Sequence, residues 1–411
     1  MKSVTILNGV TKDVRFELKD DAGSDAVHTN PVYAYAVCCL KTDSKLEGIG
    51  LAFTLGTGNE LVCRAIEYLL PYVEGREINE LMTYFGSVSY KMANDPKLRW
   101  LGPHKGIVHL ALASITNACF DLWAKSHDLP LWKLLVDLPP ESLVNVLDLS
   151  YLEEILTAED AVAMLKTSAE TKDERREILK TGYRGYDTSI GWFGYSDEKI
   201  KQNVKIAMDQ GFTAMKLKVG STDYHRDLQR AEMVRQTAGD KATIMFDANQ
   251  QWNLPQAIEI CRKLQPLNPF WIEEPTHPDD RNAHATLVRE IAPVKVAAGE
   301  HLPNRVIFKN YLQSQAFHFN QVDAVRVGGV AEFITISLIS RKFGIPVVPH
   351  VGDMGQIHQH LILFNHMSLE HEALFLEHIP HLQEYFKDPA RIEGGYYAVP
   401  EKPGASCDLK N

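Results

Sequence analysis

Three carboxylates, Asp247, Glu273 and Glu300, recur 26 and 27 residues apart, each just past a short apolar run: Ala242 to Phe246, Phe270-Trp271-Ile272 and Val294 to Ala298. Crowded together they would repel one another and raise each other's pKa unless a cation neutralised them. Hard oxygen donors with open positions suit magnesium, with manganese a workable substitute. Taken singly, each reads as a solvated acid at the start of a loop; the regular spacing beside Lys218 and His350 favours a metal site.

Lys216 and Lys218 alternate along one apolar run, so a period of two turns both the same way, into the interior. Burial and a neighbouring ammonium predict a depressed pKa and a neutral amine fit to act as a general base. The competing reading is a pair that snorkels outward. His350 follows Pro346-Val347-Val348-Pro349 and Asp323 closes the unit before it, an arrangement in which a carboxylate fixes the imidazole tautomer and favours a proton-donating imidazolium. Glu377, in Leu374-Phe375-Leu376-Glu377, is expected to stay protonated in an apolar setting and donate to a substrate oxygen, against the reading of a salt-bridged structural acid. His358, His360, His366, His371, His378 and His381 fall on helical text and read as surface or packing residues.

These residues need elements that bring them together. Lys216, Asp247, Glu273, Glu300, Asp323, His350 and Glu377 succeed one another at intervals of 23 to 31 residues, the length of one strand, one helix and two loops. The strands are compact and apolar, as parallel strands buried on both faces are. The intervening Tyr224 to Thr237 and Ala257 to Leu264 carry helical periodicity with charged outer faces. About seven such units, each ending in a reactive side chain, predict an α/β fold with a TIM-type (β/α) barrel rather than an open sheet with one switch point. The first third, with strand-like Val32 to Leu40 and Gly48 to Leu55 and helical Leu61 to Tyr72 and Gly106 to Lys125, reads as an α+β unit. Residues 140–200 offer only a charged helical pattern over Glu153 to Lys180.

With 43 basic against 53 acidic residues, the net charge of −10 and the lack of a basic run argue against a nucleic-acid partner. Six scattered cysteines without a CxxC fit free thiols of a reducing compartment. Met1 to Leu7 lacks a signal-like apolar region, and no stretch is read as approaching the roughly 18 apolar residues of a membrane span, so the expected compartment is the cytoplasm, with no membrane partner.

Lys216-Leu217-Lys218, Asp247-Ala248-Asn249-Gln250, Trp271-Ile272-Glu273-Glu274-Pro275, Ala298-Gly299-Glu300 and the Asp323/His350 pair together resemble the mandelate racemase subgroup of the enolase superfamily. The wider text, including Leu98 to Pro103, Thr188 to Tyr195 and Pro275 to Asp280, resembles the acid-sugar dehydratases of that subgroup that act on L-fuconate. The resemblance implies a modified barrel over residues 141–384 under an α+β capping domain, residues 1–140, completed by about 385–411. It implies one magnesium ion on Asp247, Glu273 and Glu300, Lys218 as the base at C2 with Lys216 beside it, His350 held by Asp323 as the acid at C3, and Glu377 in support. Asn249, Lys216, His28, Asp25, Trp100 and Thr188 are the implied substrate contacts, with Val27 and Thr29 beside them. The implied partners are a small acid sugar and further copies of the chain in a homo-oligomer. The implied reaction is loss of water from L-fuconate, or a relative such as L-galactonate, to a 2-keto-3-deoxy acid. The same fold also serves racemases and epimerases. A Schiff-base aldolase on Lys218 would leave the three carboxylates unexplained. Departures from the resemblance fall at Asp187, at His301 and in the shortened stretch His350 to Gln356.

Overall fold

The computed structural model describes residues 3–102 and 104–410; Met1, Lys2, Asn411 and Pro103, the end of the Leu98 to Pro103 segment, lie outside the described residues. The chain opens with an antiparallel sheet of β1 (Ile6–Glu17), β2 (Val32–Thr42) and β3 (Glu47–Thr54), with β2 in the middle. The apolar centre of β2, from Tyr33 to Leu40, is buried. The long helix Gly106–Ser126 lies against β3. It packs so closely that a Cβ at Gly50 would stand 1.9 Å from the Ser114 carbonyl oxygen, which is why glycine occupies that position.

That helix corrects the expectation that no segment approaches a membrane span. Its 21 residues are long and apolar enough, yet 89% of its most apolar stretch is buried inside the protein. It is apolar because it is enclosed by protein on most of its surface. All six cysteines are buried and free.

The barrel strands are β4 (Tyr183–Gly191), β5 (Ala214–Lys218), β6 (Thr243–Asp247), β7 (Ile272–Glu273), β8 (Val296–Ala298), β9 (Phe319–Asn320), a seventh position reduced to one bridge between Asn320 and Val347, and β10 (Leu376–His378). β4 to β9 pair in parallel in chain order, and β10 returns in parallel to β4. Seven helices fill the crossovers, from Asp197–Asp209 to Gln356–Leu369. After β10 a short hairpin, β11 (Ile392–Glu393) and β12 (Tyr396–Tyr397), pairs antiparallel with the start of β4 where an eighth helix would otherwise follow. The remaining tail lies on the capping layer: Ala405 N–H donates to Asp121 (2.7 Å) and the Trp132 indole to the Pro400 carbonyl (2.8 Å).

Two strand readings change. β4 lies in the stretch where the sequence offers only a charged helical pattern; Tyr183, Tyr186, Thr188 and Ile190 favour a strand, but Gly185, Asp187 and Gly191 interrupt the pattern, and the strand is held by close packing. A Cβ on Gly191 would meet Leu217 at 2.3 Å. Asp323 does not end a strand, because β9 stops at Asn320 and Asp323 lies in the following turn.

One side chain from each strand position, Tyr186, Ala214, Met245, Trp271, Ala297, Phe319, Val348 and Phe375, forms a closed apolar layer inside the barrel. Two residues further on, by the strand period, stand Thr188, Lys216, Asp247, Glu273, Gly299, Gln321, His350 and Glu377. The apolar layer is the floor and this second layer carries the chemistry.

A buried polar clamp joins cap to barrel. Asn117 donates to the carbonyls of Leu51 (3.2 Å) and Ala324 (3.0 Å) and accepts from Val330 N–H (2.9 Å). Glu332 meets His109 at 2.6 Å and Arg305 at 3.0 Å, while Arg305 also reaches Asp148 at 2.6 Å. Burial alone would raise the Glu332 carboxyl, but His109 and Arg305 hold it well below its ordinary 4.5. Its contribution is therefore present above that value and drains away as pH falls below it. Glu332→Ala, which takes a carboxylate from the buried Arg305 guanidinium, should cost about 3 kcal/mol of stability at neutral pH. Urea unfolding at neutral and acid pH checks this, with the difference shrinking as the wild-type carboxyl is protonated.

Candidate active site

Lys216 and Lys218, successive inward residues of β5, are both buried among carboxylates. Lys218 donates to Asp247 Oδ2 at 2.6 Å. Lys216 donates to Glu273 Oε1 at 2.5 Å and lies 2.8 Å from Glu377 Oε1. The Asp247, Glu273 and Glu300 carboxylates offer oxygens all within 4.8 Å of one another. Glu300 joins them because Gly299 turns the chain where a Cβ would stand 2.5 Å from the Gln321 backbone. Three hard oxygen donors around one point fit a divalent cation. Glu274, Glu300 and His301 form a second such group, but there His301 Nδ1 already meets Glu274 at 2.9 Å.

Opposite the lysines, His350 Nδ1 donates to Asp323 Oδ2 at 2.6 Å, and its Nε2 lies 3.6 Å from Glu300. Burial would lower the imidazole's pKa, but Glu300 and Asp323 raise it to about 10, so it is an imidazolium as expected. Two other expectations are overturned. Burial does lower the Lys218 amine, but Asp247 outweighs it and raises the pKa above its ordinary 10.5; at Lys216 burial is likewise outweighed, by Glu273 and Glu377. Both stand as ammonium ions, because the carboxylates they touch need countercharge. Glu377 does not stay protonated: burial raises it, but Lys216 and His350 bring it below its ordinary value. Within the trio, burial raises Glu273, to about 8 with Lys216 opposing it, and burial raises Glu300 as well.

A cavity of about 230 Å³ opens above this layer, lined by Lys218, Asn249, Glu300, His350 and Glu377 from the barrel and by Asp25, Val27, His28 and Tyr33 from the cap. Asp25 accepts from the His28 ring at 3.0 Å and, through burial opposed by His28 and Lys218, is held below the usual carboxylate range. Thr188 and Asn249 line the cavity, and their Oγ1 and Oδ1 are buried beside it without a protein partner, capacity that a hydroxyl-rich ligand would satisfy once those side chains turn to it. Trp100, a candidate contact, does not come to the site: it stands fully exposed on the turn after Pro96–Leu98, outside the cavity lining. Thr29 is exposed and also outside the lining.

The sequence reading missed several wall residues. Trp192 and Arg326 line the cavity, and Gln250 and His301 join them beside Glu274. His358, read as packing, lies instead behind Asp323, with its Nε2 3.3 Å from the carboxylate. The signal for Gln250 and His301 was their place beside the metal-ligand candidates, and for Trp192 its place in the Thr188 to Tyr195 segment; nothing in the text pointed to Arg326 or to a supporting role for His358.

The family described as enolase C-terminal domain-like matches residues 199–411. Mitochondrial enolase superfamily member 1 of Homo sapiens is 41% identical over 409 residues, 97% of this chain and 92% of that protein. Its crystal structure superposes with a TM-score of 0.96 at 40% identity, covering 99% of this chain and 95% of that one. L-galactonate dehydratase of Hypocrea jecorina is 38% identical over 419 residues, covering 100% of this chain and 93% of that protein. The L-talarate/galactarate dehydratase of Salmonella typhimurium LT2, crystallised with Mg and L-lyxarohydroxamate, shares the fold at a TM-score of 0.80 and 23% identity, covering 100% of this chain and 92% of that one. With the barrel, its ring of carboxylates and near full-length relatives all in agreement, the chain belongs to the enolase superfamily.

Proposed function

We propose that this protein is a magnesium-dependent acid-sugar dehydratase, a hydro-lyase that removes the C2 proton and the 3-hydroxyl of an aldonate to leave a 2-keto-3-deoxy acid. The observation that carries the reading is the placement of an amine and an imidazolium at opposite ends of one carboxylate trio: Lys218 touches Asp247, and His350 lies beside Glu300. Asp247, Glu273 and Glu300 would hold the ion, which supplies positive charge to the substrate carboxylate as charge builds on it. With Asp247 so engaged, its pull on the Lys218 ammonium would weaken, the ammonium would give its proton to solvent, and the neutral amine would then take the C2 proton. Lys216, paired with Glu377, adds a fixed positive charge beneath the reacting carboxylate. His350, held as an acid by Asp323, gives its proton to the departing 3-hydroxyl, and the enol that remains tautomerises. A racemase needs a second base at C2, and a protonated His350 is poorly suited to begin that reaction.

The relative from Hypocrea jecorina supports a substrate of L-galactonate configuration. L-fuconate is its 6-deoxy form, so both fit the reading, with L-galactonate placed first. The cavity's Asp25, His28, Thr188 and Asn249 would meet the sugar hydroxyls. We further propose an assembly of identical subunits.

A 2-keto acid assay across acid sugars should give a magnesium-dependent signal on L-galactonate or L-fuconate that EDTA abolishes; silence on every aldonate would remove the reading. Lys218→Ala should stop deuterium exchange at C2 together with dehydration, whereas His350→Asn should stop dehydration and keep exchange, as seen by proton NMR in deuterium oxide. Magnesium should raise the melting temperature of the wild type but not of Glu273→Gln.

A further inference from the structure

We propose that His358 is a positioning residue for the acid half of the site: by tying the Asp323 turn to Asp353 it fixes the carboxylate that orients His350. The catalytic consequence rests on the dehydratase reading; the structural one does not. His358 is fully buried on the helix Gln356–Leu369 and lies between two carboxylates. Its Nδ1 meets Asp353 Oδ1 at 2.6 Å. Its Nε2 accepts from Ala324 N–H at 2.9 Å and stands 3.3 Å from Asp323 Oδ1.

Asp323 is thus held from every side. Oδ2 accepts from His350 and from Gly352 N–H (3.0 Å), and Oδ1 accepts from Val325 N–H (2.8 Å) beside His358. Gly352 allows this approach, since a Cβ there would come within 2.9 Å of Asp323 Oδ2. Asp353 is anchored in turn by Gly355 N–H (3.2 Å) and by Ile357 N–H, so it has no freedom to leave His358. The stretch from His350 to His358 closes a chain of contacts, His350 to Asp323 to His358 to Asp353, around one buried acid. The loop between His350 and Gln356 turns back through Met354 and Gly355, both at positive φ, and that turn places Asp353 under the ring.

An apolar side chain would fill the place beside Phe333, whose ring centroid is 5.8 Å from that of His358, at lower desolvation cost than a buried imidazole and carboxylate. A buried polar pair that touches the partner of the catalytic acid is explained by what it holds. Outer partners of this kind commonly change activity about 10- to 100-fold when removed.

The test compares His358→Leu, His358→Gln and Asp353→Asn with wild type, each checked for folding by circular dichroism. The expected result is a fall of about 10- to 100-fold in 2-keto acid formation with C2 deuterium exchange retained, because the lysine side of the site is untouched. Equal loss of both, or of neither, would overturn the proposal. Independently of substrate, the hydrogen-bonded Nδ1–H resonance of His350, assigned by its disappearance in His350→Asn, should shift or broaden in the His358 and Asp353 variants. An unmoved resonance would overturn the proposal even if no acid sugar were turned over, whereas a moved resonance with a silent wild type would sustain it and sink the dehydratase reading instead.

Discussion

Compensation of buried charge at the mouth of the barrel governs this structure. Asp247, Glu273, Glu300, Asp323 and Glu377 are all buried within one ring, and each would be expensive there alone. Lys216, Lys218 and His350 stand among them as cations, so the amines that look like bases are ammonium ions until the carboxylates find another countercharge. The same arrangement that makes the carboxylates fit a divalent ion therefore sets the protonation of the groups beside them. Metal fit and acid–base chemistry are one electrostatic problem here.

The rest of the fold keeps that ring in place. The floor of eight apolar side chains, from Tyr186 to Phe375, excludes water from below and puts the functional side chains one pleat higher. The cap closes the site from above with Asp25, His28 and Tyr33. Asn117, bonded to the cap strand at Leu51 and to the barrel at Ala324, fixes the cap next to Asp323 itself. Cap registry and the orientation of the acid pair thus depend on neighbouring backbone, in a protein whose N-terminal layer and C-terminal tail pack on each other through Asp121 and Ala405.

Much of the site could be read from the text because strand geometry is periodic and local. A short apolar run ending in Asp247, Glu273 or His350 states where that side chain will point, and the recurrence of the unit states that the ends converge. The barrel, the carboxylate trio, the inward Lys216 and Lys218 and the Asp323/His350 pair were legible in residue type and spacing; the division of roles between the lysines rested on the family resemblance. Tertiary structure alone decided what depends on neighbours distant in sequence. β4 forms although Gly185, Asp187 and Gly191 break its apolar pattern, with Gly191 leaving room for Leu217 against it. Glu377 is ionised because Lys216 reaches it from the far side of β4, a neighbour that only barrel closure supplies. Trp100 stands exposed outside the cavity lining, while Trp192 and Arg326 form part of its wall. His358 sits behind Asp323 because a short loop folds back on itself. Spacing along a strand is set by covalent geometry and so is written in the sequence, whereas a pKa, a cavity wall and a supporting contact are set by the field and packing of residues that only the closed barrel brings together.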